Sequence, residues 1–367
     1  MIVRPRDARK LFVRSFVTRA PLLPEWTIDD APGNHTDPDH MSVSYELARC
    51  AVCGGADARE LASADDIRGE VEALWAFHSA RLRPGTPPSQ LMDRVAFSQH
   101  APLRLVRCSE CGLVYRNPVE RPAELDAAYA DSSPSTDRMR VLHEAQRASY
   151  GAQAHRLTEV FGRKGSGLEV GSYVGAFLAA ARERGWQFAG VDVNACANAF
   201  TRSLGFQVHD GTLESLRDER RVDVVAIWNC LDQLPDPVAT LRAARNRLSP
   251  GGIVAVRVPN GACYAAVRPL LATSLAPLAR QWLAQNNLLG FPYRYGFTIP
   301  ALDRVLTRLG FHVEHVVGDV LVPIADQWTR PWARIEERVI KGLGALAARA
   351  PVRERVVAPW IEVYARV

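Results

Sequence analysis

The chain has 367 residues, of which 47% are hydrophobic and 23% are charged, and its formal net charge at pH 7 is +5. This composition is typical of a soluble globular protein, and the length allows one large domain and a smaller one. The modest positive charge does not indicate nucleic-acid binding, for which a clustered basic face is typical. Because no apolar run approaches the roughly 20 residues of a membrane-spanning helix, we expect no transmembrane segment.

Residues 1–48 are predicted to form an N-terminal arm. Between Met1 and Pro21 the sequence carries six basic residues and one acidic residue, without the apolar core of a secretory signal. A solvated arm is the simplest interpretation. The same composition also suits an organelle transit peptide or a helix on a membrane surface. We expect the protein to be cytoplasmic.

Four of the seven cysteines form two C-x-x-C-G pairs, made by Cys50 and Cys53 and by Cys108 and Cys111. In each pair the glycine allows the backbone to turn, so that both sulfurs face one point. Four thiolates indicate a closed tetrahedral zinc site, which is structural because no coordination position remains open. The alternative is two unrelated pairs of buried or redox-active cysteines. A redox pair is expected to open a helix beside a strand, and neither pair does.

The 49–130 segment is therefore predicted to be zinc-ribbon-like, with a helix inserted between the two cysteine pairs. Ile67, Val71, Leu74 and Trp75 recur at helical spacing. The proline- and glycine-rich run 83–89 that follows is predicted to be a turn or linker.

From about residue 150 onward, strand-like and helix-like segments alternate, which predicts an α/β fold with a doubly wound sheet in a domain spanning 131–367. Residues 262–296 are predicted to be an insertion on the substrate side. The predicted strands are 167–172, 188–192, 206–209, 222–228, 253–258, 311–317 and 360–367. The predicted helices are 176–184, 194–204, 237–248, 301–309 and 332–348.

The first of these strands ends in a turn from Gly171 to Gly175 that is typical of nucleotide-type cofactor sites, although a packing turn is the alternative for the glycines alone. Asp192 is the last residue of the second strand, 21 residues after Gly171, where it is placed to accept hydrogen bonds from a ribose. Tyr173 occupies the position of the second glycine that lets a dinucleotide pyrophosphate approach. A nucleoside without phosphates, S-adenosyl-L-methionine, is therefore favoured over NAD.

At these residues the sequence resembles the class I S-adenosylmethionine-dependent methyltransferases, in particular a bacterial branch with an N-terminal zinc-ribbon-like segment. The resemblance covers about residues 49 to 367. It implies a Rossmann-like, seven-stranded methyltransferase sheet and a small N-terminal zinc-ribbon-like domain. The motifs that carry it, in chain order, are Cys50/Cys53, 107–118, 171–175, 191–194, 229–237, 248–252, 258–260, 297–298 and 309–311.

The resemblance also implies a set of cofactor-binding residues. The methionine end is assigned to Glu169, Gly171, Ser172 and Gly175, the ribose to Asp192, the adenine to Val193, Thr212 and Leu213, and the neighbourhood of the sulfonium to Asn229. Two departures stand out. Relatives often have an aspartate where this chain has Thr212, and Glu-His where it has Asp232 and Gln233.

On the acceptor side no catalytic residue is identified. Asp232 is a candidate general base, with capping or solvation of the loop as its alternative. Tyr293 and Tyr295 are predicted to be pocket walls first and acid–base groups second. Arg294 is either an exposed arginine or a contact for an acidic substrate. The apolar 262–290 segment is predicted to pack on the sheet or, if exposed, to serve a bulky or lipid-linked acceptor or a homodimer contact.

The sequence thus predicts methyl transfer to a small-molecule acceptor such as a sugar, a polysaccharide end or a secondary metabolite, with no nucleic-acid partner. The alternative is a non-catalytic zinc-ribbon and Rossmann-like protein that binds nucleic acid or a partner. The ribbon segment lacks the interleaved basic and aromatic residues of a stacking platform, which counts against this alternative.

Overall fold

The computed structural model describes residues 45–87, 104–120, 135–217, 220–291, 294–321, 327–349 and 358–367. The chain divides into two compact units, 1–42 and 43–367, and all of the described residues lie in the second. This unit contains a central seven-stranded sheet, a four-stranded sheet and a two-stranded sheet.

The elements are numbered in chain order. The strands are β1 (Tyr45–Glu46), β2 (Ala58–Ala62), β3 (Leu105–Cys108), β4 (Val114–Arg116), β5 (Val119–Glu120), β6 (Ser166–Val170), β7 (Gln187–Asp192), β8 (Val208–Asp210), β9 (Val222–Trp228), β10 (Leu248–Pro259), β11 (Tyr295–Gly296), β12 (His312–Asp319) and β13 (Trp360–Arg366). The helices are α1 (Ala64–Arg81), α2 (Thr136–Phe161), α3 (Ala176–Glu183), α4 (Ala195–Ser203), α5 (Pro237–Arg247), α6 (Gly261–Val267), α7 (Ala276–Gln285), α8 (Ile299–Arg308) and α9 (Pro331–Arg349), with a 3₁₀ turn at Arg268–Ala272.

The central sheet has the order β12-β13-β10-β9-β6-β7-β8. Strands β8, β7, β6, β9 and β10 are parallel, and β13 runs antiparallel between β10 and β12. The chain moves outward from β6 through β7 to β8 and then returns to β9 on the other side of β6. The α/β fold class and the seven strands predicted from the sequence are confirmed. This reversal of strand order is where ligands bind in such sheets.

The helices that follow the strands begin at capping residues near the carboxyl ends of those strands. The Asn194 side chain accepts a hydrogen bond from Ala197 N at 2.8 Å, where α4 begins. The Asp236 side chain accepts one from Ala239 N at 2.8 Å, with Pro237 in the first turn of α5. These caps satisfy backbone donors that a helix start leaves unpaired, so they fix where each loop ends.

Two elements differ from the sequence-based expectations. Helix α2, which is 26 residues long, was not predicted. The segment 249–252 was expected to separate a helix from a strand beginning at 253, but it is an irregularity inside β10. Leu248 pairs with Val222 and Ile253 pairs with Val224, so four residues bulge out between two paired positions.

The four-stranded sheet contains the cysteine pairs at one end and has the order β11-β4-β3-β2. Its edge strand β11 comes from far along the chain, with Tyr295 opposite Tyr115 and Gly296 opposite Val114. Helix α1 lies between β2 and β3, where the inserted helix was predicted, and begins at a reciprocal cap between Ser63 and Asp66. The domain limits 1–48, 49–130 and 131–367 stay a prediction.

One hydrophobic core joins the four-stranded sheet to one face of the central sheet. It contains Val52, Leu113 and Tyr115 from the cysteine-bearing segment together with Leu231 and Phe297 from the other side. All five are at most 1% exposed. The two sheets are therefore held together by shared apolar burial, which is the dominant favourable contribution to folding.

A buried ion network crosses the opposite face of the central sheet. Glu362 of β13 is 0% exposed and accepts hydrogen bonds from Arg156, from Gln153 Nε2 at 2.9 Å and from Tyr364 Oη at 2.9 Å. Arg257, opposite it on β10, is 2% exposed and lies 3.6 Å from the same carboxylate. The buried charges are thus paired and hydrogen-bonded, as burial of charge requires.

We predict that Glu362→Gln lowers the free energy of unfolding by about 3 kcal/mol or more. The change removes the buried negative charge that Arg156 and Arg257 share, so two positive charges lose a counter-charge inside the protein. The matched control is Glu314→Gln, which changes the partner of Arg366 in a pair whose side chains are 26% and 30% exposed. That change is expected to cost about 1 kcal/mol or less. Urea unfolding of both variants measures the difference, and equal losses would contradict a special role for the network.

Candidate active site

The turn between β6 and α3 is shaped by two glycines with positive φ. Gly171 has φ +73° and Gly175 has φ +68°, a region that side chains with a Cβ rarely adopt. A Cβ added at Gly171 would lie 2.6 Å from Cys230 Sγ, and one at Gly175 would lie 2.6 Å from Thr201 Cγ2. Both positions therefore require glycine for conformation and for space.

Tyr173, in the middle of this turn, also has a positive φ of 41°. Its backbone N–H donates to Asp192 Oδ2 at 2.8 Å, and the N–H of Asn194 donates to Asp192 Oδ1 at 2.9 Å. The Asp192 carboxylate thus joins the loops that follow β6 and β7. Since each carboxylate oxygen has a second lone pair, it retains the capacity to accept from a ligand. Burial raises the pKa of this carboxyl above its ordinary value.

Glu169 and Ser172, on either side of Gly171, are 3% and 4% exposed. Within the part of the chain that the structure describes, Glu169 Oε2 and Ser172 Oγ have no hydrogen-bond partner. Burial, and after it the charge of Asp192, raises the pKa of Glu169 well above its ordinary value. Buried polar atoms without partners are uncommon because each costs free energy. Two of them beside one glycine turn indicate a place for a polar ligand.

The residues after β7 and β8 lie at the same edge, since Asp192 is in register with Asp210. Val193 is half-buried, Leu213 is 1% exposed and packs in the large core, and Thr212 is exposed. The Thr212 N–H donates to Ser215 Oγ at 3.1 Å. The structure therefore brings the predicted adenine-side residues to the same edge of the sheet as Asp192. Leu213 is held by packing, and Thr212 is exposed.

At the tip of β9, Asn229 has φ +55°. Its side chain donates to Tyr150 Oη at 3.3 Å and accepts from Arg257 Nη1 at 2.5 Å. Its backbone oxygen accepts from Gln233 Nε2 at 2.9 Å. Asn229 is thus rigidly held from three sides. Tyr150 and Arg257, which hold it, were not identified from the sequence, although an arginine within the apolar run of β10 is a visible signal.

Asp232 lies three residues beyond Asn229 and is 4% exposed. The alternative that this residue solvates the loop is wrong, because the carboxyl is enclosed. Its backbone oxygen accepts from Tyr295 N at 3.0 Å, while Oδ1 has no partner among the residues that the structure describes. Burial raises the pKa of Asp232 to about 7. The group can therefore change protonation near neutral pH.

Tyr295 is buried, and its hydroxyl donates to Pro235 O at 3.2 Å while Arg294 Nε lies 3.4 Å from the same oxygen. Burial raises the pKa of Tyr295. These contacts suit a wall residue better than an acid or a base. Arg294 is 2% exposed, so the expectation of an exposed arginine is wrong. Tyr293 lies outside the described residues.

The four paired cysteines converge at the end of the four-stranded sheet. All four Sγ atoms lie within 4.8 Å of one another. Cys50 Sγ is 3.4 Å from Cys111 Sγ, and Cys53 Sγ is 3.5 Å from Cys108 Sγ. The adjoining Cys111 thiol and burial raise the pKa of Cys50. The separations suit a tetrahedral ion, for which bonds of about 2.3 Å imply sulfur–sulfur distances of about 3.8 Å.

Comparison with known proteins decides the family. Residues 142–316 match the family model described as a methyltransferase domain. This segment is a class I, S-adenosylmethionine-dependent methyltransferase domain. This match confirms the resemblance to methyltransferases that was inferred from the sequence. It also confirms the assignment of the protein as an enzyme. None of the curated proteins compared matches the sequence.

Several solved structures are similar to the methyltransferase at low identity. A possible histamine N-methyltransferase from Thermotoga maritima is 17% identical, with 63% of this chain and 93% of that chain covered and a TM-score of 0.41. A SAM-dependent methyltransferase from Archaeoglobus fulgidus is 21% identical, with 60% and 94% covered and a TM-score of 0.38. The plantazolicin methyltransferase BamL is 14% identical, with 66% and 96% covered and a TM-score of 0.40.

Among the described residues, no helix combines the length and the apolar character that a transmembrane helix requires.

We predict that Asp232→Asn changes the pH dependence of stability. The pKa of Asp232 is 3.8 in its ordinary state and about 7 in the folded protein, so the folded state binds more protons between these values. The free energy of unfolding of the wild type therefore falls as pH rises through this window, by up to about 4 kcal/mol for this group. The variant lacks this loss of stability, so its free energy of unfolding relative to that of the wild type rises as the pH increases.

Urea unfolding at pH 5 and pH 8 tests this prediction on the wild type, Asp232→Asn and the exposed control Asp303→Asn. The control is expected to follow the wild type at both values. A stability difference between wild type and Asp232→Asn that stays constant with pH would show that Asp232 keeps an ordinary pKa.

Proposed function

We propose that the methyltransferase transfers a methyl group from S-adenosyl-L-methionine to a small-molecule acceptor. The observation that carries the cofactor assignment is the pair of unpartnered buried atoms, Glu169 Oε2 and Ser172 Oγ, beside the Asp192 carboxylate. The methionine tail of the cofactor is zwitterionic. Its ammonium can donate to Glu169 Oε2, and its other polar atoms can bind Ser172 Oγ. A ribose offers two hydroxyl donors to Asp192.

In this proposal the cofactor residues are Glu169, Gly171, Ser172 and Gly175 for the methionine end, Asp192 for the ribose, Val193, Thr212 and Leu213 for the adenine, and Asn229 beside the sulfonium. The bound cofactor supplies an electrophilic methyl group. The protein then has mainly to align donor and acceptor, and alignment is worth several kcal/mol. The contacts that fix Asn229 support this role, because a held strand tip keeps the reacting geometry constant.

For the acceptor we propose a sugar, a polysaccharide end or a secondary metabolite. Leu231, Tyr295 and Phe297 bring the cysteine-bearing sheet into the same core as the tip of β9, which supports an enclosed acceptor site. Asp232 is a better candidate base than Tyr295. Its Oδ1 has no partner among the described residues and the carboxyl has a pKa of about 7, whereas the Tyr295 hydroxyl already donates a hydrogen bond. A base with a pKa near the working pH suits an acceptor that must lose a proton.

We also propose that Cys50, Cys53, Cys108 and Cys111 bind a structural Zn²⁺. The mutual approach of four sulfurs, three of them on buried residues, fits the ion, and zinc would displace the thiol protons that otherwise remain on such a cluster. A reduced zinc–thiolate site agrees with a cytoplasmic location, where thiols are kept reduced.

Calorimetry tests the cofactor assignment. We expect wild type to bind S-adenosyl-L-methionine and S-adenosylhomocysteine but not NAD, and Asp192→Ala to weaken adenosyl ligands about tenfold or more, because hydrogen bonds to a charged group are lost. The control is Asp210→Ala at the neighbouring strand tip, where the carboxylate binds Asn198 and Arg202 of the protein itself. Binding of NAD without either adenosyl ligand would refute the assignment.

Elemental analysis tests the metal site. We expect one zinc ion per wild-type chain and none in Cys108→Ser, with a lower unfolding temperature because the site shares the large core. Cys196→Ser, at a cysteine outside the cluster, is expected to retain the ion. Stoichiometric zinc in Cys108→Ser would contradict a four-thiolate site.

A further inference from the structure

Helix α9 presents a row of large apolar side chains to solvent, here called the α9 apolar face. Its members are 48% to 66% exposed and recur every three or four residues, which places them along one side of the helix. None of the residues described in 45–367 covers this row. The α9 apolar face consists of Trp332, Ile335, Val339, Leu343 and Leu346.

Helix α7 packs against the buried side of α9. A Cβ added at Gly344 would collide with the ring of Trp282, so α9 and α7 lie in close contact there. The exposed row on the other side of α9 therefore belongs to a helix that is anchored in the protein. Single exposed apolar residues are ordinary on a protein surface, but five of them along one side of a helix indicate an interaction site.

After ion pairing, the net charge of the described residues beside the α9 apolar face is positive. Glu336 and Glu337 are neutralised by ion pairs with Arg81 and Lys341, each at 2.6 Å. Arg334 and Arg338 are one turn apart and flank the face. The remaining charge along this part of α9 is therefore positive.

Apolar insertion and basic side chains beside it together give stable membrane association, whereas either one alone is marginal.

We propose that the α9 apolar face docks on the surface of an anionic lipid bilayer, with α9 lying in the interfacial plane. The apolar side chains would enter the acyl boundary while Arg334 and Arg338 extend toward lipid phosphates. A second copy of the chain is a poorer occupant, because a two-fold contact of this face would bring the positive charges of Arg334 and Arg338 from both copies into one interface. The inference does not depend on the proposed function, since docking requires neither cofactor nor acceptor.

Vesicle sedimentation of the full chain tests the proposal. We expect binding to vesicles of phosphatidylcholine with phosphatidylglycerol that is about tenfold stronger than to phosphatidylcholine alone, and that weakens with salt. Leu343→Glu/Leu346→Glu is expected to reduce this binding about tenfold or more, because two leucines that would enter the bilayer are lost and two negative charges are added. The matched control is Val141→Glu, at an apolar residue of α2 that is 69% exposed.

Three results would overturn the proposal. The first is a wild type that binds neither kind of vesicle. The second is equal vesicle binding by wild type and Leu343→Glu/Leu346→Glu. The third is a dimer, seen by light scattering, that Leu343→Glu/Leu346→Glu dissociates while vesicle binding is absent, which would assign the face to a second copy. Circular dichroism is expected to show unchanged folding in both variants, since each alters only exposed side chains.

Discussion

The pairing of Arg257 with Glu362 inside the central sheet is the interaction on which the site depends most. Arg257 reaches from β10 to the side chain of Asn229, to Asp319 and to the backbone of Val320. Glu362 of β13 pairs with Arg257 and also binds Arg156 of α2. One buried pair thus fixes three neighbouring strands, a helix and the strand tip where the methyl group is expected. Its replacement by apolar residues would retain packing but lose this alignment.

Local sequence patterns were sufficient to predict those parts of the structure that depend on residues close together in the chain. The glycine turn and Asp192 were predicted because a strand, a turn and a second strand fix their spacing, and the structure joins them through the N–H of Tyr173. Their role as cofactor ligands stays a prediction. The cysteine pairs were likewise recognisable, since each makes its own turn, and the structure brings their sulfurs together.

The rest of the site was not predictable from spacing, because it depends on contacts between distant segments. Helix α2 was not predicted because its buried positions include the polar residues His143 and Gln153. These residues interrupt the apolar stripe by which an amphipathic helix is recognised. For Asp232 the sequence left open a general base or a residue that caps or solvates the loop, and for Arg294 an exposed arginine or a substrate contact. Both are buried because β11 pairs with the cysteine-bearing sheet, and Tyr295 N donates to Asp232 O. No feature near residue 232 or 294 indicates that pairing.

That pairing also constrains the order in which the protein can fold. Strand β4 ends at Arg116, but its neighbour β11 begins at Tyr295, so the four-stranded sheet is incomplete until most of the chain has been synthesised. Until then the edge of β4 exposes unpaired backbone groups, which invites wrong strand pairing. A metal ion held by the two cysteine turns would stabilise β2, β3 and β4 early, because its ligands lie on the N-terminal side of this long loop closure. With the proposed zinc bound, the cysteine cluster would serve assembly as well as the finished fold.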